Sequence, residues 1–179
     1  MRERIGNWTQ TYGGRMFWPM DPRPEEIHIE DIAHALSLIC RFGGHCKEFY
    51  SVAEHSVRVS QLLPPEYALD GLLHDAAEAY CGDMVRPLKA MLPEYCSAED
   101  LIRKAIAARY GINPIEPPEV TFADNVMLAT EARDLLHAPP APWLPLPPPL
   151  PAQVWPQIWP DMAEKLFLRQ FTALGGREA

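Results

Sequence analysis

Residues Leu69–Asp83 read LDGLLHDAAEAYCGD, an apolar run with a histidine and an aspartate side by side in its middle. Leu69, Leu72, Leu73, Ala76 and Ala77 recur at helical spacing, so the stretch is expected to be a largely buried helix, part of one running over about Glu66–Tyr80. Burying an ionised carboxylate beside an imidazole costs several kcal/mol unless something pairs with them. A divalent cation is the most economical partner for His74 and Asp75; a hydrogen-bonded core pair is the plain alternative. Glu78 follows His74 by four residues, about 40° around a helix, and faces the same space. Asp83 comes just after Gly82, an expected helix stop.

The flanking chain is read as further helices. One is expected over about Ile32–Arg41, capped by Asp31 and ending in the turn Arg41-Phe42-Gly43-Gly44-His45. A second opens on the capping box Ser51-Val52-Ala53-Glu54, carries His55, and runs to about Leu63. Pro64-Pro65 separates it from the central helix. A short turn is expected around Met84–Lys89, an amphipathic helix from Ser97 to Gly111, and a long helix over Glu119–His137 after Pro117-Pro118. The long helix carries Asp124 on an apolar stripe that includes Phe122 and Val126. A last helix covers about Asp161–Leu174. Neither internal repeats nor strand alternation is evident, so the expected class is all-α, a compact single-domain helical bundle over residues 1–179.

Two segments stand apart. Residues 1–30 are broken by Gly13, Gly14, Pro19, Pro22 and Pro24 yet hold Trp8, Tyr12, Phe17 and Trp18. They read as an N-terminal strap packing aromatics on the core, or as a place where Phe17 and Trp18 wall a pocket for a flat ligand. Residues 138–156, APPAPWLPLPPPLPAQVWP, form a semi-rigid polyproline-type connector. Composition does not choose between an exposed connector, a docking strap and an intersubunit arm.

A net charge of −8 argues against non-specific binding of nucleic acid polymers or an anionic membrane surface. No apolar run is long enough to span a bilayer, and MRERIGNWTQ lacks the apolar segment of a signal peptide. Cysteines 40, 46, 81 and 96 form no C-x-x-C pair and read as free thiols in a reducing cytoplasm.

Successive helices thus offer His55, His74 with Asp75, and Asp124. Two imidazoles and two carboxylates suit Mn²⁺, Co²⁺, Zn²⁺, Fe²⁺ or Mg²⁺. The order H…HD…D, with the texts YSVAEHSVRV, LLHDAAEAYCGDMVRPLK and FADNVMLATEARDL, resembles the HD-domain phosphohydrolase superfamily. Within it the chain looks like the branch of YfbR-type 5′-deoxynucleotidases and of small phage enzymes that strip triphosphate from dATP. The resemblance covers about residues 27–136 and leaves out the proline-rich segment. It implies an HD-domain bundle with His55, His74, Asp75 and Asp124 as metal ligands. It further implies Glu78 positioning or deprotonating the attacking water, with Asp83 assisting as general acid or by holding that water. Arg41 and Lys89 match positions that hold substrate phosphate. Phe42 stands beside Arg41 where the deoxynucleotidases have Trp, and Trp18 is a candidate base contact. The implied reaction is attack of a metal-activated water on the 5′-phosphate of a deoxynucleotide.

Phosphate number stays open. Arg41 and Lys89 are the clear cations, with His45 and Arg86 weaker and none in Glu119–Ala123, which favours a small phosphate load. The aromatic strap, able to stack on a purine, favours the opposite. A homo-oligomer is expected from the family and from Trp143, Trp155 and Trp159. A non-catalytic nucleotide- or metal-binding regulatory module is the alternative, and a helical protein with ordinary core hydrogen bonds a third.

Overall fold

A computed structural model describes residues 4–143, 145–155 and 158–177. It is mostly helical, in agreement with the all-α expectation. The helices are α1 (Ile29–Leu38), α2 (Val52–Leu62), α3 (Ala68–Leu73), α4 (Glu78–Cys81), α5 (Arg86–Lys89), α6 (Pro93–Tyr110), α7 (Pro118–Leu135) and α8 (Pro160–Ala173). The strap contributes a small antiparallel hairpin, β1 (Thr9–Gln10) with β2 (Met16–Phe17), in which Thr9 faces Phe17 and Gln10 faces Met16.

Helix α2 sits in the middle, packed on α1, α3, α7 and α8. Its start follows from local chemistry: the Ser51 side chain accepts the Glu54 N–H, and Val52, Ala53, Val57 and Val59 are buried. A short bridge between Cys40 and Ser51 ties α1 to α2 and holds Arg41 through its N–H to the Tyr50 carbonyl. The main core gathers Phe17, Ile32, Leu36, Leu72, Ile102, Ile106 and Phe167. A second core, of Tyr50, Val59, Ala123, Met127, Leu135 and Val154, lies where α2, α7 and the proline-rich segment meet.

Several boundaries differ from expectation, each for a physical reason. Asp31 does not cap α1; His28 occupies that position, and Asp31 is buried one turn in, accepting the Gly13 N–H and facing Arg15. Helix α6 starts at Pro93 and not at Ser97, because proline fits the first helical turn, where its missing N–H costs nothing. It ends at Gly111 in the left-handed region, φ 70°, as the sequence predicts. Phe122, expected inward, is exposed, and Val120, Ala123 and Met127 take the buried stripe of α7.

The central helix is the largest departure. It is two short helices, α3 and α4, joined by a tight turn over residues 74–77. The Gly71 carbonyl, which a regular helix would offer to Asp75, accepts instead from the His74 imidazole at 2.8 Å. The bonds that follow, from Ala76, Glu78, Ala79 and Tyr80, reach back three residues rather than four. Gly71 also lets α3 approach α2: a Cβ there would run into Leu63 and sit 3.4 Å from the Ser60 backbone.

The proline-rich segment is largely exposed, but its far end, from Leu150 to Val154, is fastened to α7. Arg133 on α7 donates to the carbonyls of Leu150 and Ala152, Thr130 accepts the Leu150 N–H, and Asp134 accepts the Val154 N–H. Among the described residues no helix is long and apolar enough to cross a membrane. All four cysteines are free thiols.

A candidate metal centre

Three packed elements bring the predicted residues together. Helix α2 supplies His55, the α3–α4 turn supplies His74 and Asp75, and α7 supplies Asp124. His55 Nε2 lies 3.3 Å from His74 Nε2, 3.2 Å from Asp124 Oδ1 and 3.7 Å from Asp75 Oδ2. His74 Nε2 lies 3.3 Å from Asp75 Oδ2 and 4.0 Å from Asp124 Oδ1. Ligands at about 2.1 Å from one ion stand roughly 3 Å apart when adjacent and about 4.2 Å apart when opposite, so the spacing suits a single cation. Donor atoms of His55, His74 and Asp124 all lie within 4.8 Å of one another, and that group could hold a metal ion. Asp75 borders it through both imidazoles.

Both imidazoles are oriented from behind. His55 Nδ1 donates to Glu131 Oε1 at 2.6 Å, and His74 Nδ1 donates to the Gly71 carbonyl. Each acceptor requires the proton on Nδ1, which aims the Nε2 lone pair at the centre. Two such lone pairs 3.3 Å apart repel unless a proton or a cation lies between them.

Glu131, fully buried, is the partner that sequence reasoning missed. Its Oε1 also accepts from the Tyr50 hydroxyl at 2.9 Å, and its Oε2 lies 3.3 Å from Arg41. A signal existed: Glu131 follows Asp124 by seven residues, about two turns, and so shares its face of α7.

Charge explains the titration of the group. Burial opposes ionisation of every member, but the neighbours override it. The Asp75 carboxyl is held far below the usual range, against burial, by the His74 imidazole and then by His55 and Arg41. Burial lowers the His74 pKa and the Asp75 carboxylate raises it, with a net rise to about 10. Asp124 falls to about 2, burial being outweighed by its hydrogen bond from His55. The His55 imidazole ends above its ordinary value: burial and Arg41 pull it down, and Glu131 and Asp124 push it further up. Cation-free, the neighbouring carboxylates therefore favour the protonated form of both imidazoles, His74 most of all.

Glu78 behaves oppositely. Burial, then the charges of Asp75 and Asp83, push its carboxyl up to about 10, and its Oε2 is buried with no hydrogen-bond partner among the described residues. Asp83 is also raised, chiefly by burial. The tight turn places Glu78 three residues beyond Asp75, on the same side.

The remaining candidates divide. Arg41 is inside the cluster, its guanidinium 3.3 Å from Asp75 and from Glu131. Phe42 follows in the left-handed region, φ 56° and ψ 30°, its ring 5.6 Å from the Arg41 guanidinium. A cavity of about 290 Å³ adjoins His74, Asp75 and Glu78 and is lined further by Lys89, Glu99 and Glu116. Lys89 reaches that cavity already paired with Glu99. Arg86 holds Asp124 at 2.9 Å. Trp18 is not brought to the cluster by any described contact; it lies under the Arg4 guanidinium at 4.0 Å, and Arg4 pairs with Asp21 and Glu26, both in the strap.

Fold and site together define an all-α protein with a candidate His/Asp metal centre. The chain belongs to the family of the uncharacterized protein YfdR of Escherichia coli, with 47% identity over 129 residues, 72% of each chain. An uncharacterized protein of Rhodobacter capsulatus is 34% identical over 142 residues, again 72% of each chain. No family model matches the chain.

Proposed function

We propose that this protein is a metal-dependent phosphohydrolase of deoxynucleotides. The observation that carries the reading is the pair of imidazole Nε2 atoms 3.3 Å apart, each anchored through Nδ1, with Asp75 and Asp124 alongside. His55, His74, Asp75 and Asp124 would hold the cation. When bound, the cation supplies Lewis-acid polarisation of a phosphoryl oxygen and a lowered pKa for water. The H…HD…D order of the HD-domain phosphohydrolases supports the same reading.

The chain's own groups fit the rest. Arg41 presents a guanidinium fork among the carboxylates, suited to phosphate oxygens. Glu78, protonated at neutral pH by its burial, can exchange a proton with water or a leaving oxygen; Asp83 sets its charge environment. One phosphate suits the site better than a chain of three. Lys89 and Arg86 are committed to Glu99 and Asp124, and the adjoining cavity is lined by Glu78, Glu99 and Glu116.

The test is elemental analysis of the purified protein with a panel of dNMPs and dNTPs, each with Mn²⁺, Co²⁺, Zn²⁺, Fe²⁺ and Mg²⁺. Phosphate and nucleoside are read by chromatography. Turnover is expected that stops on chelation and in Asp75→Ala and Glu78→Ala. A protein that holds metal yet hydrolyses nothing in the panel is a binding module and not an enzyme. One with no metal affinity reduces the cluster to core hydrogen bonds.

A further inference from the structure

We propose that Trp143, carried by the proline-rich segment, is the second wall of an aromatic clamp. Phe42 is the first wall, and the clamp takes the base of a nucleotide whose phosphate lies at the His/Asp cluster. The inference rests on the phosphohydrolase reading for the phosphate end and on separate observations for the base end.

The Phe42 and Trp143 rings have centroids 6.5 Å apart and are tilted by 58°, so they are neighbours without being stacked. A flat ring sandwiched between two others needs about 7 Å, twice the ~3.5 Å contact distance of carbon atoms. Turning the two rings parallel and parting them by about 0.5 Å would give that slot.

Phe42 is the only non-glycine among the described residues with a positive φ. Its side chain is therefore held in place at a cost in backbone strain, as is common where a ligand is gripped. It is one residue from Arg41, whose guanidinium touches Asp75, so the slot opens beside the cluster.

Trp143 is 44% exposed, an apolar surface costly to leave in water. It is not on a loose tether. Prolines at 139, 140, 142 and 145 stiffen the chain around it. Farther along, Arg133, Thr130 and Asp134 fasten the segment to α7, the helix that carries Asp124 and Glu131. Trp155 and Trp159, also exposed, have no described ring neighbour, which sets Trp143 apart within the segment.

The clamp is tested with Trp143→Ala and Trp143→Phe in the full chain. Circular dichroism and thermal melting verify that each is folded. Equilibrium binding of dAMP and dGMP is measured beside inorganic phosphate, with KM where turnover is seen. Base stacking on an aromatic side chain predicts that Trp143→Ala weakens nucleotide binding roughly tenfold. Phosphate binding should stay unchanged, and Trp143→Phe should retain most of the affinity. Nucleotide binding unaffected by Trp143→Ala overturns the clamp, as does an equal loss for inorganic phosphate. If no nucleotide is hydrolysed yet nucleotide binding still depends on Trp143, the clamp stands and the hydrolase reading falls. If hydrolysis proceeds with Trp143→Ala kinetics equal to wild type, the clamp alone falls.

Discussion

Replacing Glu78 by Gln should make the cation-free protein gain stability relative to wild type as pH rises, and should abolish the proposed turnover. Glu78 titrates near 4.5 in an unfolded chain and near 10 in the fold, where burial and the Asp75 and Asp83 charges disfavour its anion. The sign follows from that rise: below pH 4.5 both states hold the proton and nothing is lost. As pH climbs, the unfolded chain releases the proton and the fold keeps it, so stability drains away until the pH passes about 10. At about 1.4 kcal/mol per pH unit, the loss at pH 7 is about 3 kcal/mol. Gln cannot ionise and escapes this loss. Its amide adds a fixed cost, because Glu78 Oε2 has no hydrogen-bond partner among the described residues, but that cost is the same at every pH. Thermal melts in excess chelator at several values between pH 4.5 and 9 isolate the effect. The melting temperature of Glu78→Gln relative to wild type should rise steadily with pH, by about 2–4 °C for each kcal/mol in a chain of this size. Saturating divalent cation should shrink the gap, since its charge lets the Glu78 anion form inside the fold. A gap that stays flat or narrows with pH in chelator would refute the argument that Glu78 is buried without compensation.

Glu131→Gln should weaken cation binding by roughly 10–100-fold while leaving the proposed ligands His55, His74, Asp75 and Asp124 in place, because it removes the carboxylate that orients His55; a competition titration with a chromogenic chelator reads it. Cation affinity should increase from pH 6 to pH 9, since the His74 imidazole, raised to about 10 by Asp75 against the effect of burial, must shed its proton to bind; calorimetry in buffers of different ionisation enthalpy should count protons released. Gly71→Val should cost about 1–3 kcal/mol in urea unfolding, by forcing α3 away from Leu63 and the Ser60 backbone, and unchanged stability would mean that the two helices are not in close contact.

Much of this was legible in the chain itself. Ser51 with Glu54 fixes the start of α2, Gly111 ends α6, and Pro117-Pro118 opens α7, because caps and prolines act on backbone groups within one turn. The apolar spacing likewise marked His74, Asp75 and Asp124 as polar groups on buried faces that needed a partner, while His55, ordinary by itself, joined them through the H…HD…D order. The tertiary structure alone decided how those groups meet. It broke the central helix at His74, since the imidazole takes a carbonyl that the helix would have used. It drew Glu131 onto His55 and Arg41 among the carboxylates, left Trp18 in the strap, and laid the proline-rich segment along α7 with Trp143 beside Phe42. Local signals cannot encode these pairings: which buried charge faces which depends on how helices distant in sequence cross, and that is set by the packing of the whole core.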